Sequence, residues 1–164
     1  MKNRIIEILK ENLYMTIATS DSNGNPWISN IYFAFDSKIN IYWYSPKESR
    51  HSNYIKDNPN IAISIFNSTS KGEDVKALYI KAKAQEITNK NKILKALIPY
   101  GEKMLKTGFI SKENLKSFLK THINFQNKSP LRMYKAIPNE ISLLADSKMY
   151  RGLYIDSRIV IKED

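Results

Sequence analysis

A run of strands, a helical insertion and a closing run of strands predict a mainly β, α+β domain for this chain, a sheet or barrel with helices attached. Three observations carry that reading. Short segments with alternating apolar and polar residues, separated by turn signals, fill Tyr14 to Ile87. Helical spacing replaces alternation between Lys90 and Leu119, and alternation returns at Arg132. Strict strand–helix alternation, the mark of a doubly wound parallel sheet, is missing. No linker, repeat or low-complexity tail divides residues 1–164, so one domain is expected.

The first element, Asn3 to Asn12, has Ile5, Ile6, Leu9 and Leu13 at helical spacing. Tyr14 to Ser20 reads as a strand. Asp21-Ser22-Asn23-Gly24-Asn25 is a turn, because Asn and Gly tolerate positive φ. Trp27 to Phe35 and Ile39 to Tyr44 continue an antiparallel meander around Asp36-Ser37-Lys38. Ser45-Pro46-Lys47-Glu48 has the form of a capping box with proline at the first helical position. The helix it opens should stop before Asn58-Pro59, since a residue preceding proline avoids the helical region. Ile61 to Phe66 and Lys76 to Ile87 are strands, separated by a polar loop from Asn67 to Asp74. Lys90 to Leu105 is helical, with Pro99 expected to start, kink or end a helix, and Ser111 caps a second helix carrying Leu115, Phe118 and Leu119. Strands are expected at Arg132 to Ile137, Glu140 to Leu144 and Leu153 to Ile161.

Composition excludes several chemistries. The chain has no cysteine, so disulfides, zinc–thiolate sites, iron–sulfur clusters and cysteine nucleophiles are out. It has two histidines, His51 and His122, without metal-binding spacing. Neither a glycine-rich phosphate loop nor a Gly-x-Ser-x-Gly elbow occurs. No apolar run nears the roughly 20 residues of a membrane-spanning helix. The N-terminus mixes charges into its apolar positions, unlike a secretory signal, and a cytoplasmic protein is expected. A net charge of +10 would suit nucleic acid or another anionic partner. The lysines are scattered and five of the 26 basic residues are Arg (Arg4, Arg50, Arg132, Arg151, Arg158). Without a dense basic block, compositional drift is the stronger reading and a nucleic-acid-binding domain the weaker one. A chain this poor in catalytic side chains, if an enzyme, relies on a cofactor.

One segment stands apart. Tyr44-Ser45-Pro46-Lys47-Glu48-Ser49-Arg50-His51-Ser52 joins a strand to a helix. The first helical turn leaves N–H groups unpaired and favours an anion. Ser45 and Ser49 add hydroxyls, Arg50 a planar fork suited to phosphate, and His51 a further donor. The residues alone leave two readings open: a phosphate-monoester site, or a capped helix with Arg50 in solvent. Trp27 and Trp43 could stack on a ring, although core or dimer-surface roles are commoner for strand tryptophans. Successive strand side chains alternate, so Tyr32, Phe33 and Phe35 cannot all share one face of the sheet. His122 fits a helix C-terminus. Tyr100 and Met104 fit either packing or closure over a substrate.

The run Ile31 to Phe66 resembles the pyridoxamine 5′-phosphate oxidase-like flavin-binding split barrels. The likeness rests on Tyr44, Ser49-Arg50-His51, Asn58-Pro59 and the apolar strand after them, with Tyr134 to Leu144 and Arg151-Gly152-Leu153-Tyr154 in the closing region. It implies a six-stranded antiparallel split β-barrel with a helical insertion and short flanking helices. It further implies a homodimer with flavin mononucleotide (FMN) at the interface and hydride transfer to and from the flavin N5. By the same resemblance, Ser49, Arg50 and His51 hold the phosphate and Tyr44 and Ser45 assist at the strand end. Ser29, Asn30 and Ile31 lie along the ring system, and Arg151 comes near it from the partner chain. The sequence departs from true pyridoxamine phosphate oxidases at Ser29 and Ala34, where they have Arg and Lys, and at His51, usually Lys. Their Arg-x-His substrate pair is absent, with Lys148-Met149-Tyr150 nearby. The expectation is therefore a flavoprotein oxidoreductase of unknown small-molecule substrate, with weaker flavin affinity and without the vitamin B6 reaction. A non-catalytic flavin- or haem-binding or sensing module is the alternative on the same fold, and a deazaflavin could replace FMN.

Overall fold

The computed structural model describes residues 1–71, 74–122 and 129–161, apart from the side chains of residues 121 and 122. In chain order the elements are α1 (Lys2–Glu11), β1 (Tyr14–Ser20), β2 (Pro26–Tyr32), β3 (Ala34–Phe35), β4 (Ile41–Pro46), α2 (Arg50–Asp57), β5 (Asn60–Phe66), β6 (Ala77–Glu86), α3 (Lys90–Lys106), α4 (Lys112–His122), β7 (Leu131–Tyr150) and β8 (Leu153–Ile161). The strands form one antiparallel eight-stranded sheet, ordered β2-β1-β5-β6-β7-β4-β3, with β8 on the far part of β7. The first and last strands of that order are separated in sequence by Phe33 alone, so the sheet returns on itself at this residue.

The sheet has eight strands where the resemblance implies six, and two of the strand boundaries read from the sequence differ. The predicted strand Trp27 to Phe35 is divided at Phe33: its first part pairs with β1 and its second with β4. The two closing strands predicted at Arg132 and Glu140 are instead one continuous strand, β7. Proline interrupts a ladder because it has no N–H. Here Pro138 sits where β7 exchanges β4, paired as far as Ala136, for β8, paired from Ile141. Asn139 is the extra residue of a bulge between the Lys81–Glu140 and Ala82–Pro138 pairs, so the chain passes the proline without losing its other neighbour.

Alternation on the strands builds two cores. Ile17, Ile31, Phe33, Ile41, Trp43 and Ile80 face inward and meet Ile5, Ile8 and Leu9 of α1 and Ile55 of α2. Ile8 adds to the predicted apolar face of α1, and Ile6 is partly buried against the same core. The opposite face of β3, β4 and β7 carries Ala34, Tyr42 and Met133, covered by Ile93, Ala96, Leu97 and Tyr100 of α3 and Phe118 of α4. Helix α3 runs through Pro99 unbroken.

Two polar turns set the strand geometry. Asp21 accepts the Asn23 and Asn25 N–H groups at 2.9 Å, with Gly24 at φ 83°. Asp36 does the same for Lys38 and Asn40 and also takes the Tyr42 hydroxyl at 2.8 Å. Burial raises the Asp36 carboxyl, but these hydrogen bonds outweigh it and hold the group below its ordinary value. The second turn absorbs Ile39 at φ 61°, and the strand predicted from Ile39 begins at Ile41. Among the described residues no helix is long and apolar enough to cross a membrane.

Lys103 ties the helices to the sheet. Its ammonium donates to Asn12 O at 2.7 Å, at the end of α1, and lies 3.6 Å from the Phe33 ring centroid. Burial pushes it down to about 7. The unfolded chain, with Lys near 10.4, therefore binds more protons between about pH 7 and 10, and this group makes stability rise with pH across that window. Urea unfolding of the wild type and Lys103→Met at several pH values should show the stability of the wild type relative to the variant rising from about pH 7 to 10. Parallel curves would show that Lys103 is not depressed.

Candidate functional site

The helix predicted to open at Ser45 opens four residues later. Pro46 pairs with Leu131 as the last residue of β4, and Lys47 donates to Pro130 O at 2.9 Å, so cross-strand bonding extends the strand through the apparent capping box. Ser45 is a buried strand residue on the Trp43 side of β4, paired with Arg132, and does not cap a helix. Ser49 is the N-cap residue of α2 instead, without a side-chain cap bond. Asn53 N is the first to reach a helical carbonyl, Ser49 O, at 3.0 Å. The N–H groups of Arg50, His51 and Ser52 therefore have no intrahelical acceptor. The helix ends at Asp57 before Asn58-Pro59, as expected.

Sidechains from β2 and α2 converge there. Trp27, Ser29 and Ile31 alternate onto one face of β2. Ile31 is in the inner core, Ser29 Oγ is 3.2 Å from His51 Nδ1, and the Arg50 guanidinium lies 4.1 Å from the Trp27 ring centroid. His51 Nε2 is 3.0 Å from Ser49 Oγ, which donates to Ser52 Oγ at 2.8 Å. Ser52 in turn bonds Tyr134, a buried residue of β7 stacked on Trp43 at 5.5 Å. Burial lowers the His51 pKa, so the ring is neutral near pH 7. Arg50 is exposed and has no ion pair or hydrogen bond among the described residues. Lys47 is held by Glu48 at 3.4 Å.

Of the residues singled out from sequence, Ser29, Ser49, Arg50 and His51 come together. The Ile31 side chain lies in the inner core. Asn30 points to the other face and accepts from Thr16 at 2.7 Å. Tyr44 faces the helical insertion, 5.1 Å from Tyr100, whose hydroxyl bonds Tyr32 O at 3.1 Å. Tyr100 is thus a core residue, as is Phe33, while Tyr32 and Phe35 are partly buried within the chain. Arg151 is far along β7, in a two-residue turn with Gly152. Both turn residues have positive φ, the type I′ geometry of tight hairpins. Its guanidinium meets Tyr150, outside the cluster. The His122 side chain lies outside the described residues. Sequence reasoning missed Ser52 and Tyr134 as members of the network. The spacing of Ser49 and Ser52, three apart on a helix, was the available signal.

Two features of the cluster bear on what it can hold. Among the described residues β2 pairs with β1 alone, so its other edge presents backbone donors and acceptors beside Ser29. The helix start and the Arg50 fork can accept an anion next to that edge. A cavity of about 660 Å³, lined by Ser52, Glu86, Arg132 and Tyr134, lies alongside α2. A larger cavity, about 840 Å³, lies elsewhere, between α1, the turn at Ser37–Ile39 and the bulge of β7. Its one carboxylate, Glu140, is committed to Lys81 at 3.0 Å, and no comparable polar network converges on it.

Residues 1–126 match the sequence profile described as pyridoxamine 5′-phosphate oxidase. No curated protein matches the chain. Solved structures share the fold at low identity. A candidate 5-nitroimidazole antibiotic resistance protein from Bacteroides thetaiotaomicron is similar with a TM-score of 0.67 at 15% identity, over 87% of this chain and 82% of that one. A candidate pyridoxamine 5′-phosphate oxidase from Listeria innocua gives 0.60 at 16%, over 85% and 94%. HutZ, the haem storage protein of Vibrio cholerae, gives 0.59 at 16%, over 84% and 89%. With three quarters of its length in the family profile and the same architecture in these structures, the chain belongs to the pyridoxamine 5′-phosphate oxidase family.

Proposed function

We propose that this chain is a homodimeric FMN-binding oxidoreductase of the split-barrel type, acting on a small molecule other than a vitamin B6 phosphate. The observation that carries the cofactor is the uncommitted Arg50 fork, held over Trp27 beside the acceptor-free N–H groups at the start of α2. Arg50 and these N–H groups would bind the phosphate, with Ser29 and Ser49 as neighbouring hydroxyls. The free edge of β2 would orient the ring through its backbone. Flavin bound there supplies the electron-transfer chemistry that the side chains lack. Ala34 supports a different substrate. It is buried against α3, so the position where true oxidases carry a substrate-binding Lys is covered by the helical insertion.

Haem is the second reading, since HutZ is described as a haem storage protein. Here both ring nitrogens of His51 are engaged by serine hydroxyls and the ring is partly buried, which favours flavin over iron ligation at this residue. For the dimer, the support is the exposed apolar hairpin of β7 and β8, with Met149, Tyr150, Leu153, Tyr154 and Ile155 in solvent in the single chain. Docking that hairpin on a second copy would bury it and carry Arg151 toward the partner's site.

The purified protein should show flavin absorption near about 450 nm, and Arg50→Ala should weaken FMN binding by about 1.5–3 kcal/mol. An unchanged affinity in a fluorescence titration would remove Arg50 from the phosphate site, and a haem band near about 400 nm would favour the second reading. In sedimentation, the wild type should be a dimer and Leu153→Asp with Tyr154→Asp a monomer. A dimer that survives both substitutions would place the interface elsewhere.

A further inference from the structure

We propose that His51 takes up a proton when a phosphate monoester binds at the start of α2, so that cofactor binding is coupled to protonation of the site and weakens as pH rises. The inference rests on the FMN reading above and adds the charge state that accompanies it.

The hydrogen-bond chain determines which ring nitrogen carries the proton. Ser49 gives its single hydroxyl proton to Ser52, so toward His51 it can only accept. His51 Nε2 is therefore the N–H, and Nδ1 accepts from the Ser29 hydroxyl at 3.2 Å. The free protein holds a neutral imidazole with both nitrogens satisfied. Among the described residues no carboxylate faces it to favour a second proton. On α2 its neighbour is Arg50, and in the preceding turn Glu48 is occupied by Lys47. On β2 it meets Ser29, next to Trp27, and toward β7 it reaches Tyr134 only through Ser49 and Ser52. Beyond that, Glu86 is held by Arg132 at 3.2 Å. Burial, with nothing opposing it, keeps the ring uncharged.

A phosphate dianion beside Arg50 changes that balance. Arg50 offsets one of its two charges, and a proton from solvent on Nδ1 offsets the other. Ser29 accommodates the change without moving its oxygen: it accepts from the new Nδ1–H and turns its own proton toward the ligand. A lysine at position 51 would be charged before and after binding, and no proton would move. Lys103, the other group shifted toward neutrality, packs on α1 and Phe33, away from this cluster.

The test is calorimetry of FMN binding at about pH 7.5, above the second pKa of a phosphate monoester near 6, in two buffers of different ionisation enthalpy. The wild type should take up a fraction of a proton per FMN, and His51→Gln and His51→Lys none. Between about pH 6.5 and 8.5 wild-type affinity should fall by up to about tenfold per unit, while His51→Lys stays flat. On the unsubstituted protein, the His51 ring followed by NMR should titrate at higher pH with FMN than without. If FMN binds and Arg50→Ala weakens it, but the wild type and His51→Gln share one proton uptake and one His51 titration is unmoved by FMN, the inference is overturned and the flavin reading stands. If the wild type does not bind FMN, both fall.

Discussion

The structure depends on one residue at which a single strand serves two neighbours. β2 lies at one end of the strand order and β3 at the other, with Phe33 between them. Fully buried, Phe33 holds the bend from inside. Because the chain leaves β1 at this point to pair with β4, residues of β2 have no strand on their second side. The edge that could meet a flat ring is thus a consequence of how the sheet returns on itself. The ammonium of Lys103 lies over the same ring and bonds the end of α1, so the bend, the first helix and the helical insertion share one junction. A buried ammonium is a costly way to join elements. Its two carbonyl acceptors on α1 and the aromatic face beneath it offset that cost.

Strand alternation then separates two roles along the same segments. On β4, Ile41, Trp43 and Ser45 face inward while Tyr42 and Tyr44 meet α3. On β2, Trp27, Ser29 and Ile31 share a face, with Ile31 in the core and the other two under α2. The helix is anchored through Ile55 in the core, which leaves its first turn to present Arg50 and His51. The phosphate site proposed there would be preorganised by packing. Its charge is another matter: one guanidinium is permanent and one imidazole conditional.

Much of this was legible because it is local. Tyr14–Ser20 matches its predicted bounds, and Asn58-Pro59 ends α2 where proline geometry requires. Asp21 and Asp36 make their turns through their own side chains. What the sequence could not show is decided across the sheet. Ser45-Pro46-Lys47-Glu48 satisfies every local rule for a helix start, yet pairing of Pro46 with Leu131 draws it into β4. Pro138 argues locally for a break, and only the change of partner from β4 to β8 explains why β7 continues. At the site, the Ser49, Arg50 and His51 positions were readable, but the partners that define their state are Trp27 and Tyr134 from other strands and Ser52 one turn further along the helix.

Family membership does not by itself assign a cofactor, because structures of this architecture include one described as an oxidase and one described as a haem store. The choice must lie in side chains that the fold leaves free to vary. In this chain the helical insertion buries Ala34, and the start of α2 keeps an uncommitted Arg50 beside a histidine whose nitrogens are already occupied. A guanidinium with no internal partner is suited to an anion. An imidazole held at both nitrogens is poorly placed as an axial ligand, since freeing it would break the bond to Ser29 or to Ser49. The same feature that disfavours iron suits the proposed response to a phosphate, because the Ser29 hydroxyl can turn from donor to acceptor without its oxygen moving.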